Sequence, residues 1–143
     1  MMAPDHAADC RRLLSDVDAS RVTVRLVDAT GFPELVTEEC AAGVRSMRTS
    51  TRINPADFPT YRHLVETGEL LIQSDTRTHP IRPPQSLIDE LRVYAQILAP
   101  IRHGGRIVGT LSVHFQDRPR QFSASDIATV RSCRERIEAT LAD

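Results

Sequence analysis

The segment VYAQILAPIRHGGRIVGTLSVHFQ, residues 93–116, carries the strongest local signal in the chain. Two β-compatible runs, 93–102 and 106–116, flank His103-Gly104-Gly105, and glycine is the residue that accepts the positive φ of a tight hairpin turn. In the second run Ile107, Gly109, Leu111, Val113 and Phe115 alternate with Val108, Thr110, Ser112 and His114. Successive side chains of a strand point to opposite faces, so one face is apolar and ready for a core. The other face is mixed and partly polar.

Downstream, Ser123 is placed to cap a helix running to about Leu141. Asp126 sits at its third position, and Phe122 with Ile127 forms a hydrophobic staple. Ile127, Val130, Cys133, Ile137 and Leu141 share one face of that helix. Upstream, Ser86 and Asp89 have capping-box spacing at the start of a short helix carrying Leu87, Ile88 and Leu91. Residues 76–84 contain Pro80, Pro83 and Pro84 and are irregular. Residues 69–74 read as a strand ending at Asp75. Before it, Asn54-Pro55 opens a short helix with Pro59 in its first turn, Phe58, Tyr61 and Val65 on a shared face, and Gly68 as its stop.

Toward the N-terminus, residues 41–53 read as a loop, with a short edge strand near Thr51. Residues 21–28 and 34–40 form a strand pair across Asp28-Ala29-Thr30-Gly31. Val22, Val24 and Leu26 make the face suited to a core, with Thr23, Arg25 and Val27 opposite. The first element is a helix over 5–17, with Cys10, Leu13, Leu14 and Val17 on one face. The order is helix, two strands, helix, strand, helix, two strands, helix. That is an α/β (α+β layered) domain built around one sheet.

The composition narrows the function. A chain of 143 residues favours one domain over 1–143. All 18 basic residues are Arg, set against 19 acidic ones, and a net charge of -1 excludes the positive surplus of a nucleic-acid clamp. Without Lys there is no Schiff-base or phosphate-loop lysine. No apolar run reaches the ~20 residues of a membrane span, and the start MMAPDHAADC lacks the pattern of a secretory signal. Cys10, Cys40 and Cys133 are odd in number and contain no CxxC, which points to neither a disulfide framework nor a zinc site. A reducing cytoplasm is the simplest compartment. The histidines His6, His63, His79, His103 and His114 show no metal-ligand spacing, and no recognisable catalytic constellation is present.

Ile97-Leu98-Ala99-Pro100-Ile101, the Gly104-Gly105 turn and Ile107-Val108-Gly109-Thr110-Leu111-Ser112-Val113 together resemble the last two core strands of GAF domains. Glu66-Thr67-Gly68, Leu71-Ile72 and Asp75 resemble that family's Thr-Gly before a strand ending in Asp. Phe122-Ser123 with Asp126-Ile127 is similar to the start of its closing helix. The resemblance spans about Leu13 to Leu141. It implies a central antiparallel sheet of five to six strands, terminal helices on one face, and short helices and loops covering a small-molecule pocket on the other.

The resemblance also implies a sensory or regulatory module that binds a small molecule, signals through its terminal helices and forms a homodimer through helices 5–17 and 123–141. On this reading Thr110, Ser112 and His114 line the pocket, joined by Tyr94 and Gln96 from the neighbouring strand, with Tyr61, Asp75 and Arg77 as its cover. The ligand itself is not named by the residues. Each of these side chains also has a plain role: His114 as a hydrogen-bonded core residue, Asp75 as the organiser of its own turn, Arg77 and Arg82 as solvated charges.

Two alternatives stand beside the sensor: a dimerisation scaffold whose cavity is filled by its own side chains, and a thiol enzyme using Cys40. The clustered cysteines of the family's methionine sulfoxide reductases are missing, as are the bilin-attachment cysteine and the Asn-Lys-Phe-Asp-Glu signature of cyclic-nucleotide binders.

Overall fold

The computed structural model describes residues 6–141. In chain order the elements are α1 (Ala7–Asp16), β1 (Arg21–Val27), β2 (Pro33–Cys40), α2 (Pro59–Thr67), β3 (Leu71–Gln73), α3 (Gln85–Asp89), β4 (Val93–His103), β5 (Arg106–Gln116) and α4 (Ala124–Ala139). Gly104 and Gly105, at φ +59° and +77°, close the β4–β5 hairpin. The five strands form one sheet in the order β2-β1-β5-β4-β3, and every neighbouring pair is antiparallel.

The alternation read from β5 decides which face the terminal helices cover. Leu111, Val113 and Phe115 join Ala95, Ile97, Ala99 and Ile101 of β4 and Val22 and Val24 of β1 in one buried cluster. Cys10, Leu13 and Val17 pack onto it from the first helix, and Val130, Cys133 and Ile137 from the last. Both helical cysteines behave as small hydrophobes. The last helix starts with a full capping box: Ser123 Oγ accepts from Asp126 N at 3.0 Å, and Asp126 Oδ2 accepts from Ser123 N at 3.1 Å.

Several local expectations are corrected. No edge strand forms near Thr51, because the side chains of that loop are bonded elsewhere. Arg45 Nε donates to Thr49 Oγ1 at 2.9 Å, while the Thr51 amide and hydroxyl donate to Glu90 at 2.9 and 2.6 Å. Residues 47–49 make a single 3-10 turn instead. Asn54 and Pro55 open a separate 3-10 turn, Pro55–Asp57, and α2 begins afresh at Pro59. That phase turns Thr60 and Leu64 inward and leaves Val65 exposed, so Phe58, Tyr61 and Val65 do not share the buried face. Pro84, not a serine, precedes α3. Ser86 lies inside the helix and the capping box does not form. Asp5, the first residue of the expected helix 5–17, lies outside the described residues.

Gly109 sits where β5 crosses β1, and a Cβ there would lie 2.0 Å from the Arg25 carbonyl oxygen. The obstacle is the backbone of β1, with the Leu26 side chain beside it, and a paired strand has little room to yield. Gly109→Ala is therefore expected to cost about 3 kcal/mol in a urea titration. Ile137→Ala, which empties a site between α4 and the sheet, should cost about 2–5 kcal/mol. An alanine at 109 as stable as the native chain would contradict the β1–β5 register.

Candidate functional site

On the sheet face opposite the terminal helices, strand register arranges side chains in rows. Arg21, His114, Gln96 and Gln73 are consecutive partners across β1, β5, β4 and β3. All four are sealed from solvent, at 0%, 2%, 1% and 0% exposure. The next row is Thr23, Ser112, Leu98 and Leu71, and beyond it Arg25 stands beside Thr110. A buried polar row needs partners, and these residues find nearly all of theirs within the protein.

Arg21 holds one side of the row. Its Nη2 donates to the Arg45 carbonyl at 2.6 Å, its Nη1 lies 3.2 Å from His114 Nδ1, and its Nε is 3.6 Å from Glu38 Oε2. Glu38 in turn accepts from Ser46 Oγ at 2.5 Å and from the Met47 amide at 2.8 Å. One buried ion pair thus ties the loop 41–54 down over the sheet. A guanidinium only donates, so His114 Nδ1 is the acceptor and the ring carries its proton on Nε2. Burial, with the Arg21 and Arg25 charges second and third, holds the imidazole well below its ordinary range, so it is neutral.

From the other side, Gln73 Nε2 donates to the Ile81 carbonyl at 2.7 Å, and Gln96 Nε2 donates to Gln73 Oε1 at 2.7 Å. That relay orients both amides and leaves Gln96 Oε1 buried with no partner.

Over the adjoining ends of the two relays, His114 and Gln96, lies a chamber of about 70 Å³. Gln96, Thr110, Ser112 and His114 form its floor, and Tyr61 reaches it from α2. Met47, Ile53, Phe58 and Leu87 contribute an apolar roof. Burial pushes the Tyr61 phenol above its ordinary pKa, which keeps it a hydrogen-bonding hydroxyl. Arg25, Met47, Ile53, Pro84 and Leu87 also border an outer cleft of about 300 Å³, so the chamber opens into it. Phe32, Glu34, Arg48 and Arg52 surround that cleft. Arg25 is half-buried at the junction, and its Nη1 donates to the Pro33 carbonyl at 2.9 Å.

Five of the residues singled out in the sequence, Tyr61, Gln96, Thr110, Ser112 and His114, meet at the chamber. Asp75, Arg77 and Tyr94 stand apart from it. A bulge between Val93 and Ala95 gives β4 an extra residue, and the Tyr94 ring stacks under the Arg77 guanidinium at 4.3 Å. Arg77 Nε donates to Asp75 Oδ1 at 3.1 Å, and Asp75 also accepts from the Arg77 amide at 3.0 Å. The Arg77 side-chain hydrogen bond lowers the Asp75 pKa and raises that of Arg77. Arg82 Nη1 donates to the Thr76 and His79 carbonyls at 2.9 and 3.3 Å. These three cationic and acidic groups are engaged in shaping their own loop.

Sequence reasoning missed Arg21, Glu38 and Gln73. The alternation that put Val22 and Val24 in the core already placed Arg21 on the chamber face. It was hidden because a charged residue at the start of a strand reads as a boundary.

The neutral state of His114 makes stability depend on pH. Above about 6.5 the ring is neutral in both folded and unfolded chains; below that, the unfolded chain takes up a proton that the folded one refuses. Stability should therefore fall as pH drops from 6.5, by up to about 1.4 kcal/mol per pH unit from this group. Urea midpoints between pH 7 and 5 should fall less steeply for His114→Gln, and equal slopes would show the ring charged or accessible in the native chain.

The fold is shared with solved structures. The chain is similar in structure to the GAF domain of the cyanobacteriochrome TePixJ, with a TM-score of 0.81 at 17% identity, covering 94% of this chain and 85% of that one. It is similar to the GAF domain/HD domain protein from Geobacter sulfurreducens, with a TM-score of 0.72 at 13% identity and coverage of 92% and 86%. It is also similar to the GAF domain from Acinetobacter phosphoenolpyruvate-protein phosphotransferase, with a TM-score of 0.74 at 11% identity and coverage of 94% and 78%. At such identities the likeness concerns the fold alone. No curated relative matches the chain. The family model for the GAF domain matches residues 10–141, and with that match spanning nearly every residue described above, the chain belongs to the GAF domain family.

Proposed function

We propose that this domain is a non-catalytic sensor that takes a small molecule into the chamber and passes its occupancy to α1 and α4. The observation that carries the reading is the polar-floored chamber set behind the sheet on whose other face both helices rest, α4 against β4 and α1 against β1 and β2. On β5, Ser112 and His114 face the chamber while Leu111 and Val113 face the helices. A shift of that strand is felt on both sides, because a packed core transmits displacement. The loop 41–54 supplies the closing wall and is fastened by hydrogen bonds instead of a strand ladder, as suits a segment that must open.

A bilin, such as the family's photoreceptor members carry, does not fit. No cysteine lines the chamber or the cleft, and the chamber's about 70 Å³ with the cleft's about 300 Å³ reaches only the low end of the ~300–1,000 Å³ of sites for drug-sized ligands. Thiol chemistry has poor footing as well: burial pushes the Cys40 thiol up in pKa, and Cys133 is raised to about 11. Three free thiols support a reducing cytoplasm as the setting. Homodimerisation through the terminal helices would use their polar faces, since the apolar stripes are occupied by the sheet. The small chamber volume favours one second reading, a scaffold domain holding only water there.

A metabolite panel read by thermal shift and native mass spectrometry separates the two. The sensor reading expects at least one stabilising compound, bound one per chain, that slows amide exchange in residues 41–54 and in α2. A panel with no stabilising compound, together with exchange in 41–54 that nothing alters, would favour the scaffold and sink the sensor.

A further inference from the structure

The row Arg21–His114–Gln96–Gln73 is two hydrogen-bond relays that run toward one another. From Arg21, donation into His114 Nδ1 forces the ring proton onto Nε2, so this relay ends on a donor. From the Ile81 carbonyl, through Gln73 into Gln96, the other relay ends on the Gln96 Oε1 acceptor, which is buried and unpartnered. Gln96 and His114 are register partners on adjacent strands, and both line the chamber. Such partners stand ~5 Å apart at Cβ, close enough to engage one planar group together. An orphaned buried acceptor is costly, and a binding site is one of the few settings that accounts for it.

The opposite end of the site has a different character. Arg25 lies four residues along β1 from Arg21, ~13 Å at the strand rise, and stands where the chamber meets the cleft. Arg48 and Arg52 line the same cleft. Each of those two lies within ion-pair range of a glutamate, whereas Arg25 is held by the Pro33 carbonyl. Arg25 also feels the Glu34 charge, yet no carboxylate of the described residues forms an ion pair with it, so an incoming anion has that place to take.

Resting on the reading of the chamber as a ligand site, we infer that it selects a compact anionic ring with a cis-amide edge of the lactam or imide type. The ring N–H donates to Gln96 Oε1, a ring carbonyl accepts from His114 Nε2–H, and a carboxylate at the far end meets Arg25.

Calorimetric titration with four probes tests this. Orotate has an imide N–H opposite its carboxylate; uracil keeps the imide and lacks the carboxylate; benzoate has only the carboxylate; 3-methylorotate blocks the imide N–H. Orotate should bind about tenfold or more tightly than uracil or 3-methylorotate, which each lose one contact, and more tightly still than benzoate, which loses both ring hydrogen bonds. Gln96→Leu should weaken orotate about tenfold and leave benzoate unchanged, and Arg25→Gln should bring orotate down to the level of uracil. The methylated probe keeps the test alive on the native chain should Gln96→Leu not fold. Equal binding of orotate, 3-methylorotate and benzoate would overturn the edge assignment and leave the sensor standing. No binding of any of the four also overturns the assignment, and the sensor falls with it only when the wider metabolite panel is blank too.

Discussion

Alternate side chains of β5 leave the strand on opposite sides, and at the centre of a five-stranded sheet neither side meets water freely. One set has to satisfy a hydrocarbon core and the next set has to satisfy whatever covers the other face. Leu111, Val113 and Phe115 meet the first demand by packing under α1 and α4. Thr110, Ser112 and His114 cannot do the same, because each brings a polar atom that must be bonded. A single-residue slip would exchange the two sets and bury both wrongly, so the register of the whole sheet hangs on this strand. The Gly109 contact with the Arg25 carbonyl holds that register against β1, and the Gly104-Gly105 turn holds it against β4.

The polar side of the partition brings a charge with it. Arg21 has no exposed surface, and a buried guanidinium is tolerable only when its donors are met. Glu38, the Arg45 carbonyl and His114 meet most of them, although Nε makes an ion pair at 3.6 Å without a hydrogen bond. Buried ion pairs often add little net stability compared with apolar residues of the same volume. What this pair does supply is position. The same carboxylate that faces Arg21 also accepts from Ser46 and the Met47 amide, so the loop has one resting place over the chamber. An apolar substitute would fill the space and leave the loop without that anchor.

The layered fold was legible because it depends on periodicity. Repeats of 2 in β1 and β5 and of 3.6 in α1 and α4 fix which faces are apolar, and the glycine turn joins the strands that carry the pattern. The floor of the site was legible for the same reason, since Thr110, Ser112, His114 and Gln96 follow from face alternation on a hairpin. Tyr94 was not, because its direction depends on a bulge that no residue type announces. The phase of α2 depended on whether Pro55 or Pro59 starts the helix, and both satisfy the same local rule. Arg21, Glu38 and the loop 41–54 escaped because their pairing is long-range, and composition cannot say which of 18 arginines is buried.

The bonding of the polar row is what speaks for the proposed sensor over a plain layered scaffold. A scaffold has no use for a glutamine whose amide is oriented through two relays only to leave its carbonyl unbonded, or for a histidine kept neutral with its proton toward a cavity. Filling the same row with Leu, Ile and Met would give a denser core at no cost in polar desolvation. The row instead keeps one donor and one acceptor at the ends of rigid chains, with a half-buried arginine beyond them. Preorganised groups of this kind would lower the entropy lost when a matching molecule binds, which is how the proposed sensor would be selective with a chamber of modest volume.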